Sequence, residues 1–364
     1  MIEMGNISLW KKIKFILFIT ISSFIIFVIL AEIYLTIFNP QPYLFPRLSY
    51  SEKYRKISPK NVTIIHGVPP EKRFYSVNQY NLRGKLIPIS NEYDKPNIIL
   101  LGDSYTFGYG VNDGYEYASI LVDSLKSNYN VINTGVGGWG LTQQIRRFYE
   151  FGQLYNPEIV FLLFCGNDPD DNLKDNCTTI KDDRFSFSNF NKNNNLSVYR
   201  LNKLLSNSII QKSNFYMVIS KIIWPLVKKK QIKEMIKNKD IVEQINNEIP
   251  LNEMIYNELL NLFAKDLHKK GIKFYFASVN EYSENKKTYQ LDTFPYIRKN
   301  VFKLDSLGLI NYIEINKWFT KDDFARSPVG HYDKRWNFVF GKKLAKYILN
   351  SKSSKRVDYS SSIH

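Results

Sequence analysis

The first strong pattern along the chain is an apolar run at residues 15–38, in which Glu32 is the only charged residue. A helix needs about 20 apolar residues to cross a bilayer, so this run is long enough to span one. Three lysines between residues 11 and 14 precede it and favour a cytoplasmic N-terminus. A cleaved signal peptide would have a shorter apolar core followed by a small-residue cleavage site. We therefore expect an uncleaved single-pass anchor, with the chain beyond residue 40 outside the cytoplasmic membrane.

Beyond the anchor, short aliphatic runs alternate with stretches of helical spacing. Runs of this length are typical of strands buried in a parallel sheet. We predict strands at Asn97–Leu101, Asn130–Asn133, Ile159–Phe164, Lys273–Val279 and Ile310–Ile315. We predict helices at Tyr117–Leu125, Leu141–Tyr155, Leu251–Lys270 and Phe338–Leu349. The alternation predicts right-handed βαβ units, and hence an α/β three-layer sandwich with a central parallel sheet between helices.

The same patterns divide the chain into consecutive parts. These are an N-terminal segment 1–14, the anchor 15–38, a stalk or entry segment 39–74, a globular domain 75–350 and a polar tail 351–364. The alternation of strands and helices is interrupted at about residues 170–250. There a polar run at Asn189–Asn195 is followed by basic sequence with helical spacing. We predict a helical insertion in this region.

Composition narrows the class of protein. Hydrophobic residues make up 44% of the chain, which excludes a disordered protein. The formal net charge is +16, but the basic residues form no single stripe, so we expect no nucleic-acid partner. A solvated surface, or attraction to an anionic membrane or envelope polymer, explains the charge. The two cysteines, Cys165 and Cys177, have no zinc-site spacing, and whether they pair is left open.

The block Gly102-Asp103-Ser104 follows the first predicted strand directly. In an open α/β sheet, ligands bind outside the carboxyl ends of the strands. A serine at such an end can be exposed and activated as a nucleophile. The alternative is that Ser104 only caps the next helix or forms a turn.

Three further blocks follow other predicted strands. The second strand runs into Asn133–Gly140, where four glycines in six positions allow a backbone N–H to approach an anionic oxygen. The third strand ends before Gly166-Asn167-Asp168, in which Asn167 offers a side-chain donor. Of the four histidines, only His331 lies in a loop between the last strand and the final helix, where a general base is expected.

These four blocks resemble those of the SGNH hydrolases, also called the GDSL esterase/lipase superfamily, in the family's order. The similarity covers about residues 75–350, and the sequences around Ser104 and Gly138 are similar to a membrane-anchored bacterial envelope branch. The segment Tyr80–Gly84 also resembles a segment that those proteins carry upstream of the first strand. The resemblance implies a flavodoxin-like SGNH fold behind the N-terminal transmembrane helix.

The resemblance also implies roles for individual residues. Ser104 would be the nucleophile and His331 the general base. The backbone N–H groups of Ser104 and Gly138 and the side chain of Asn167 would bind the oxyanion. The chemistry requires no cofactor and no metal.

The acid that should orient His331 departs from the family pattern. The family places an aspartate two or three residues before the histidine, where this chain has Val329 and Pro328. Three nearby aspartates are candidates, as is a backbone carbonyl; the candidates are Asp322, Asp323 and Asp333. A second alignment frame puts Arg335 in the histidine place, but arginine is not a base at neutral pH.

The function that follows is a serine esterase acting on an acyl ester, expected to be O-acetyl, outside the cytoplasmic membrane through an acyl-serine intermediate. Its partners would be an acylated small molecule or glycan, and the membrane through one helix. An alternative is an O-acyltransferase that modifies an envelope polysaccharide and receives its acyl group from a separate membrane protein. A second alternative is a non-catalytic, membrane-tethered binding module.

Overall fold

The computed structural model describes residues 9–46, 48–68, 70–85, 87–90, 93–190, 209–223, 249–283 and 285–360, with side chains up to residue 351. The helices in these ranges are α1 (Leu9–Phe38), α2 (Ser104–Phe107), α3 (Tyr117–Leu125), α4 (Leu141–Glu150), α5 (Asp168–Lys174), α6 (Asn214–Ile223), α7 (Leu251–Lys269), α8 (Pro295–Ser306) and α9 (Lys334–Ser360). The strands are β1 (Tyr43–Phe45), β2 (Ser49–Ser51), β3 (Arg55–Ile57), β4 (Val62–Gly67), β5 (Lys72–Val77), β6 (Asn97–Gly102), β7 (Asn130–Asn133), β8 (Pro157–Phe164), β9 (Thr178–Lys181), β10 (Arg184–Phe187), β11 (Lys273–Ser278), β12 (Asn280–Ser283), β13 (Lys286–Tyr289) and β14 (Asn311–Tyr312).

Helix α1 contains the predicted anchor. It is 30 residues long and apolar enough to cross a membrane, and none of its residues is buried in the protein. It starts at Leu9, six residues before the apolar run, because the lysines that precede the run are compatible with a helix. At 1.5 Å per residue the helix is about 45 Å long, more than the roughly 30 Å hydrocarbon core requires.

The central sheet is parallel and has the order β14-β11-β8-β6-β7. Its first strand in sequence, β6, lies between β7 and β8, with Ile99 opposite both Ile132 and Val160. Numbered along the chain, the order is 2-1-3-4-5, which is the flavodoxin-like arrangement. The strand order reverses at β6, so the switch point lies at the carboxyl end of that strand.

Both faces of the sheet are covered. Ile99 and Leu101 pack on one side with α4, α7 and α8, while Ile98 and Leu100 pack on the other with α3 and α9. Because successive side chains of a strand point to opposite faces, β6 contributes to both cores and is buried throughout. The predicted three-layer α/β sandwich is confirmed.

A second folded unit precedes this sheet, and we call it the N-terminal cover (residues 43–84). It contains the antiparallel sheet β1-β4-β5 and the hairpin β2-β3. Tyr75 packs on Phe107 and Tyr109 beyond β6, and Tyr54 stacks on Trp139 beyond β7 with ring centroids 4.9 Å apart. The entry segment 39–74 is therefore largely folded onto the domain, which corrects its description as a stalk. Strands of three to six residues are too short to produce a periodic signal.

The region predicted as a helical insertion, about residues 170–250, contains both strands and a helix in its described residues. The stretch after α5 forms the hairpin β9-β10, so the helical expectation is wrong there. Helix α6 agrees with it, while residues 191–208 and 224–248 lie outside the described residues. Two more elements, α8 and the hairpin β12-β13, were not predicted. The last predicted strand is reduced to β14, and the helix predicted from Leu141 ends at Glu150 before a 3₁₀ turn.

Candidate active site

Ser104 is the first residue of α2 and follows β6 after a tight turn. Gly102 has a φ of +153°, and a side chain at that position would collide with Thr106, so the turn requires glycine. Asp103 caps α2, because its Oδ1 accepts a hydrogen bond of 2.9 Å from the Tyr105 N–H. The turn places Ser104, which is 9% exposed, at the switch point of the sheet.

His331 lies in the loop between β14 and α9, and its Nε2 is 2.9 Å from Ser104 Oγ. Its other ring nitrogen, Nδ1, is 3.4 Å from the backbone oxygen of Val329. A carbonyl can only accept, so this contact assigns the proton to Nδ1. Nε2 then has a lone pair directed at the Ser104 hydroxyl, which is the arrangement that a general base requires.

The three aspartates considered for orienting His331 have other partners or lie in solvent. Asp323 forms an ion pair of 2.8 Å with Arg335 and also caps its own turn. Asp333 accepts a hydrogen bond from the Arg335 backbone at the start of α9, and Asp322 is exposed. Of the candidates that the sequence left open, the backbone carbonyl is therefore the one that contacts His331.

The electrostatic environment keeps the His331 imidazole neutral. The rings of Tyr105 and Tyr109 lie 5.1 and 5.6 Å from the imidazole, and burial among them lowers the pKa of His331. The Asp103 carboxylate acts in the opposite direction, and its Oδ2 accepts a hydrogen bond of 3.1 Å from the Ser104 hydroxyl. The single hydroxyl hydrogen of Ser104 thus has two acceptors within reach, Asp103 Oδ2 and His331 Nε2. Burial is the larger effect, so at neutral pH the histidine can accept a proton.

Asn167 follows β8, the strand beside β6, and its side chain is held by one neighbour. Its Nδ2 donates a hydrogen bond of 2.8 Å to Asp171 Oδ2, one turn further along α5. Asp171 is also bonded to Lys174. The bond to Asp171 uses one of the two amide hydrogens of Asn167 and fixes the direction of the other.

Gly138 lies in the loop after β7 and has a φ of +69°, which glycine adopts readily. A Cβ at this position would lie 2.9 Å from Lys56 Nζ and 3.8 Å from Asp171 Oδ2. The Asp171 carboxylate therefore borders both Gly138 and Asn167. Strands β7, β6 and β8 are neighbours, so this pair lies at the same sheet edge as Ser104 and His331.

Asp103 belongs to a buried cluster with the Cys165 thiol and the Asp168 side chain. Among the described residues, ligand atoms of Asp103, Cys165 and Asp168 lie within 4.8 Å of one another. The Cys165 thiol donates to Asp103 Oδ1 at 2.9 Å, and Asp168 accepts from the Cys165 N–H at 3.1 Å. Burial raises the pKa of Cys165 and of Asp168. A metal would need the deprotonated groups, so these residues fit a hydrogen-bonded support better than a metal site. Cys165 and Cys177 are both free and buried.

Arg83 is a structural residue that sequence reasoning did not single out. Its side chain is fully buried and donates to three backbone carbonyls between residues 107 and 111. It also forms ion pairs with Asp113 at 2.9 Å and Glu116 at 3.4 Å. Arg83 thereby holds the loop that follows the nucleophile helix. The segment Tyr80–Gly84, which contains Arg83, resembles a segment of the membrane-anchored family branch. That resemblance marked the position of Arg83 but implied no role for its side chain.

His66 lies in β4 of the N-terminal cover, close to the site. Its Nδ1 lies 2.9 Å from Tyr75 Oη, and its ring centroid is 5.2 Å from that of Tyr109, which also contacts His331. Burial lowers the pKa of His66 to about 3, so it is neutral at pH 7. No sequence signal pointed to it, because the antiparallel strands of the cover were not recognised.

The fold places a serine–histidine pair at the carboxyl edge of a flavodoxin-like parallel sheet. The model of the GDSL-like lipase/acylhydrolase family matches residues 100–233. Over these residues the chain is similar to this family, and the match supports an enzyme that hydrolyses ester bonds. The matched residues include Ser104, Gly138 and Asn167, whereas His331 lies beyond them.

Several solved structures are similar in fold. A lipase/acylhydrolase from Enterococcus faecalis is 14% identical, with a TM-score of 0.38, over 70% of this chain and 95% of that one. A family 3 carbohydrate esterase from Clostridium thermocellum is 13% identical, with a TM-score of 0.41, over 72% and 98%. A psychrotrophic esterase from Pseudoalteromonas sp. is 10% identical, with a TM-score of 0.38, over 72% and 100%. A search of the curated proteins finds no match.

Proposed function

We propose that the protein is a serine esterase that removes a short acyl group, acetyl in the first instance, from a substrate outside the cytoplasmic membrane. The observation that carries this proposal is the 2.9 Å contact between His331 Nε2 and Ser104 Oγ. A neutral imidazole at hydrogen-bond distance from a serine hydroxyl is the geometry of an activated nucleophile. The buried position of His331 supports the neutral state that this role needs.

In the proposed reaction, His331 Nε2 takes the hydroxyl proton while Ser104 Oγ forms a bond to the acyl carbon. The carbonyl π electrons move to oxygen and produce a tetrahedral oxyanion. When this intermediate collapses, the bond to the alcohol oxygen breaks and the alcohol leaves with the proton from His331. Water then attacks the acyl-serine in the same way, with His331 as the base, and releases the carboxylic acid and Ser104.

The oxyanion would be bound by the backbone N–H groups of Ser104 and Gly138 and by the free hydrogen of the Asn167 amide. Each such donor contributes roughly 3–4 kcal/mol to transition-state stabilisation in comparable sites. The bond from Asn167 to Asp171 supports this role, since it restricts the rotation of the amide. The Lys56 side chain, which forms an ion pair of 3.3 Å with Asp175, also borders Gly138.

The surroundings of Ser104 favour a small acyl group on a polar carrier. Ser104 is 9% exposed, so a bulky acyl chain has little access. Two cavities of about 590 and 460 Å³ are lined by none of the four predicted site residues. Around the site, Lys56 forms an ion pair of 3.3 Å with Asp175, and the half-exposed Arg326 forms one of 3.6 Å with Glu281, so the surroundings are polar and their charges are paired. We infer an acylated small molecule or glycan as the substrate.

The location outside the membrane rests on the N-terminal helix. The lysines lie at the start of α1 and the catalytic domain follows its other end. By the positive-inside rule, this arrangement supports an extracytoplasmic domain. A protease-accessibility measurement on intact cells and on lysed cells tests this orientation, and protection in intact cells of an otherwise cleavable domain would contradict it.

The activity is tested with the full-length protein in detergent and p-nitrophenyl acetate as substrate. Ser104→Ala is expected to lower kcat by roughly 10⁴-fold or more. Ser124→Ala is the matched control, because the Ser124 hydroxyl bonds only the Ile120 carbonyl on the surface of α3. Wild-type rates in Ser104→Ala would refute the serine mechanism.

The products distinguish the remaining activities. Incubation with an acetylated glycan, followed by mass spectrometry, is expected to yield free acetate and a deacetylated glycan. Acetate on a second glycan added as acceptor would instead indicate an O-acyltransferase. Tight glycan binding with no change in either mass would indicate a non-catalytic binding module.

A further inference from the structure

Glu32, the only acid on α1, receives four hydrogen bonds from another part of the chain. Its carboxylate accepts from the Ser213 hydroxyl at 2.7 Å and from the backbone N–H groups of Asn214 and Phe215, both at 2.8 Å. The Asn214 side-chain amide donates a fourth bond at 3.1 Å. These groups form the N-terminus of α6, whose free N–H groups and dipole favour a negative charge. A carboxylate on an apolar helix thus has a full set of partners.

Further contacts join α6 to the end of α1 and to the chain beyond it. Asn214 also bonds Thr36, at 2.9 Å, and the ring of Phe215 meets that of Phe27 edge to face at 6.0 Å. Lys221 Nζ donates to Gln41 Oε1 at 2.8 Å. The position of α6 relative to the anchor is therefore fixed by polar and apolar contacts together.

One side of α6 is apolar and exposed. Helical spacing puts Ile219, Ile222 and Ile223 on one face, and their side chains are 37%, 61% and 50% exposed. Ser220 and Lys221 lie on the opposite face, where Lys221 makes its bond to Gln41. A short helix with this division of residues is typical of a segment that lies in a membrane interface.

The depth of Glu32 along α1 agrees with that location. Lys14 marks the headgroup region at the start of the span, and the 30 Å hydrocarbon core takes about 20 residues from there. The far edge of the core then falls near Tyr34, a residue type that is enriched at membrane interfaces. Glu32 is two residues from this edge, so α6 starts at the boundary between acyl chains and headgroups.

We propose that α6 lies in the interface of the bilayer that α1 spans, with Ile219, Ile222 and Ile223 inserted among the lipid acyl chains. The occupant of this apolar face is the lipid bilayer, because the face adjoins the lipid-exposed surface of α1. The inference rests on α1 crossing a membrane and is independent of the esterase activity.

The consequence is a fixed orientation of the catalytic domain at the membrane. The Lys212 ammonium lies 4.3 Å from the ring centre of Phe45 in β1, so the segment that leads into α6 also contacts the N-terminal cover. The cover in turn packs on the loops that follow Ser104 and precede α4. Two attachment points, α1 and α6, would hold the site at one height above the lipid, which one flexible tether would not do.

The test uses full-length protein in vesicles of phosphatidylethanolamine and phosphatidylglycerol. The dye NBD is attached to Ile222→Cys or, on the opposite face, to Ser220→Cys, and doxyl-labelled lipids serve as quenchers. The wild type, whose two cysteines are buried, controls for dye attached at the native cysteines. Ile25→Cys reports insertion of α1, and Leu307→Cys, an exposed apolar position on the domain, reports non-specific lipid contact.

We expect shallow doxyl lipids to quench the dye at position 222 at least about three times more than at 220 or 307. Glu32→Ala in the Ile222→Cys background is expected to lower this quenching toward the level at 220. Equal quenching at 222 and 220, with position 25 quenched by deep doxyl lipids, would overturn the proposal for α6 alone. Absence of quenching at 25 would overturn it together with the span. Hydrolysis of a soluble ester, measured on the same samples, reports on the esterase proposal separately.

Discussion

Two regions meet around Ser104, and they differ in how their polar side chains are paired. At the carboxyl edge of the sheet, His331 Nδ1 has a single contact of 3.4 Å and Asn167 uses one of its two amide hydrogens. In the N-terminal cover, Arg83 is fully buried and has three carbonyls and two carboxylates around it. The groups proposed to react thus retain hydrogen-bonding capacity, while the groups that hold them are saturated. Changes at the sheet edge should therefore lower rates, and changes in the cover should lower stability.

The largest difference is expected for His331→Ala. Removing the base should lower kcat on p-nitrophenyl acetate by roughly 10⁴-fold while leaving the melting temperature nearly unchanged. Arg335→Ala is the matched control, since Arg335 is exposed, pairs with the buried Asp323 rather than with His331, and stands in the alternative alignment frame. An equal decrease of kcat in His331→Ala and Arg335→Ala would contradict a specific role of His331 as the general base.

Asn167→Ala should have the next largest effect on rate. Loss of one oxyanion donor is expected to lower kcat by roughly 10²–10³-fold with little change in KM. Asp171→Asn keeps an acceptor for the Asn167 amide but loses the charge, so a smaller decrease is expected. Steady-state kinetics of the two variants show which loses more kcat. A larger loss in Asp171→Asn would contradict the proposed role of Asn167 as the oxyanion donor and point to Asp171 instead.

Changes in the N-terminal cover are expected to alter the free energy of unfolding, and His66 should make this free energy depend on pH. Burial lowers the pKa of His66 to about 3, whereas the unfolded chain has the ordinary value near 6.5. Between these values the unfolded state binds a proton that the folded state does not, so stability falls as the pH falls from 6.5 toward 3. The contribution from pH 7 to pH 4 is about 3 kcal/mol.

His66→Gln should therefore reduce the loss of stability in acid, measured by urea unfolding in detergent at pH 7 and pH 4. The exposed His268→Gln is the matched control for removing a histidine. An unchanged pH dependence in His66→Gln would show that His66 does not contribute to acid sensitivity.

The smallest expected effect is a shift in the pH dependence of kcat/KM, which reports the pKa of His331. Burial lowers its pKa, so the acid limb of kcat/KM should have its midpoint below pH 6.5. Asp103→Asn removes the carboxylate that raises this pKa, and the midpoint should then move to still lower pH. A midpoint at or above pH 6.5 in the wild type would contradict the burial argument.

The sheet and its loops were predictable because their signals are local. Buried parallel strands are continuous apolar runs, and the observed β7 coincides with the predicted Asn130–Asn133. Helix α3 coincides with the predicted Tyr117–Leu125 for a similar reason, since its apolar spacing is regular. The blocks that contain Ser104, Asn167 and His331 follow from these assignments, because parallel strands bring their carboxyl ends to one edge, whereas the choice of Gly138 within its loop came from the family resemblance.

The rest depends on contacts between distant parts of the chain. The cover consists of short antiparallel strands whose pairing is fixed only in three dimensions, so His66 and Lys56 could not be placed near the site. The orientation of His331 by a backbone carbonyl has no sequence signature, because every residue in a loop has a backbone carbonyl. The bonds from Glu32 to α6 join residues 181–183 positions apart, which no local pattern reports.

The most direct test of the central claim, that His331 activates Ser104 for attack on an acyl carbon, is covalent labelling with a fluorophosphonate followed by peptide mass mapping. The wild type is expected to carry one phosphonyl group on Ser104. His331→Ala should label far more slowly and Ser104→Ala not at all, while Ser124→Ala should label like the wild type. An adduct on another residue, or equal labelling of the wild type and His331→Ala, would contradict the account.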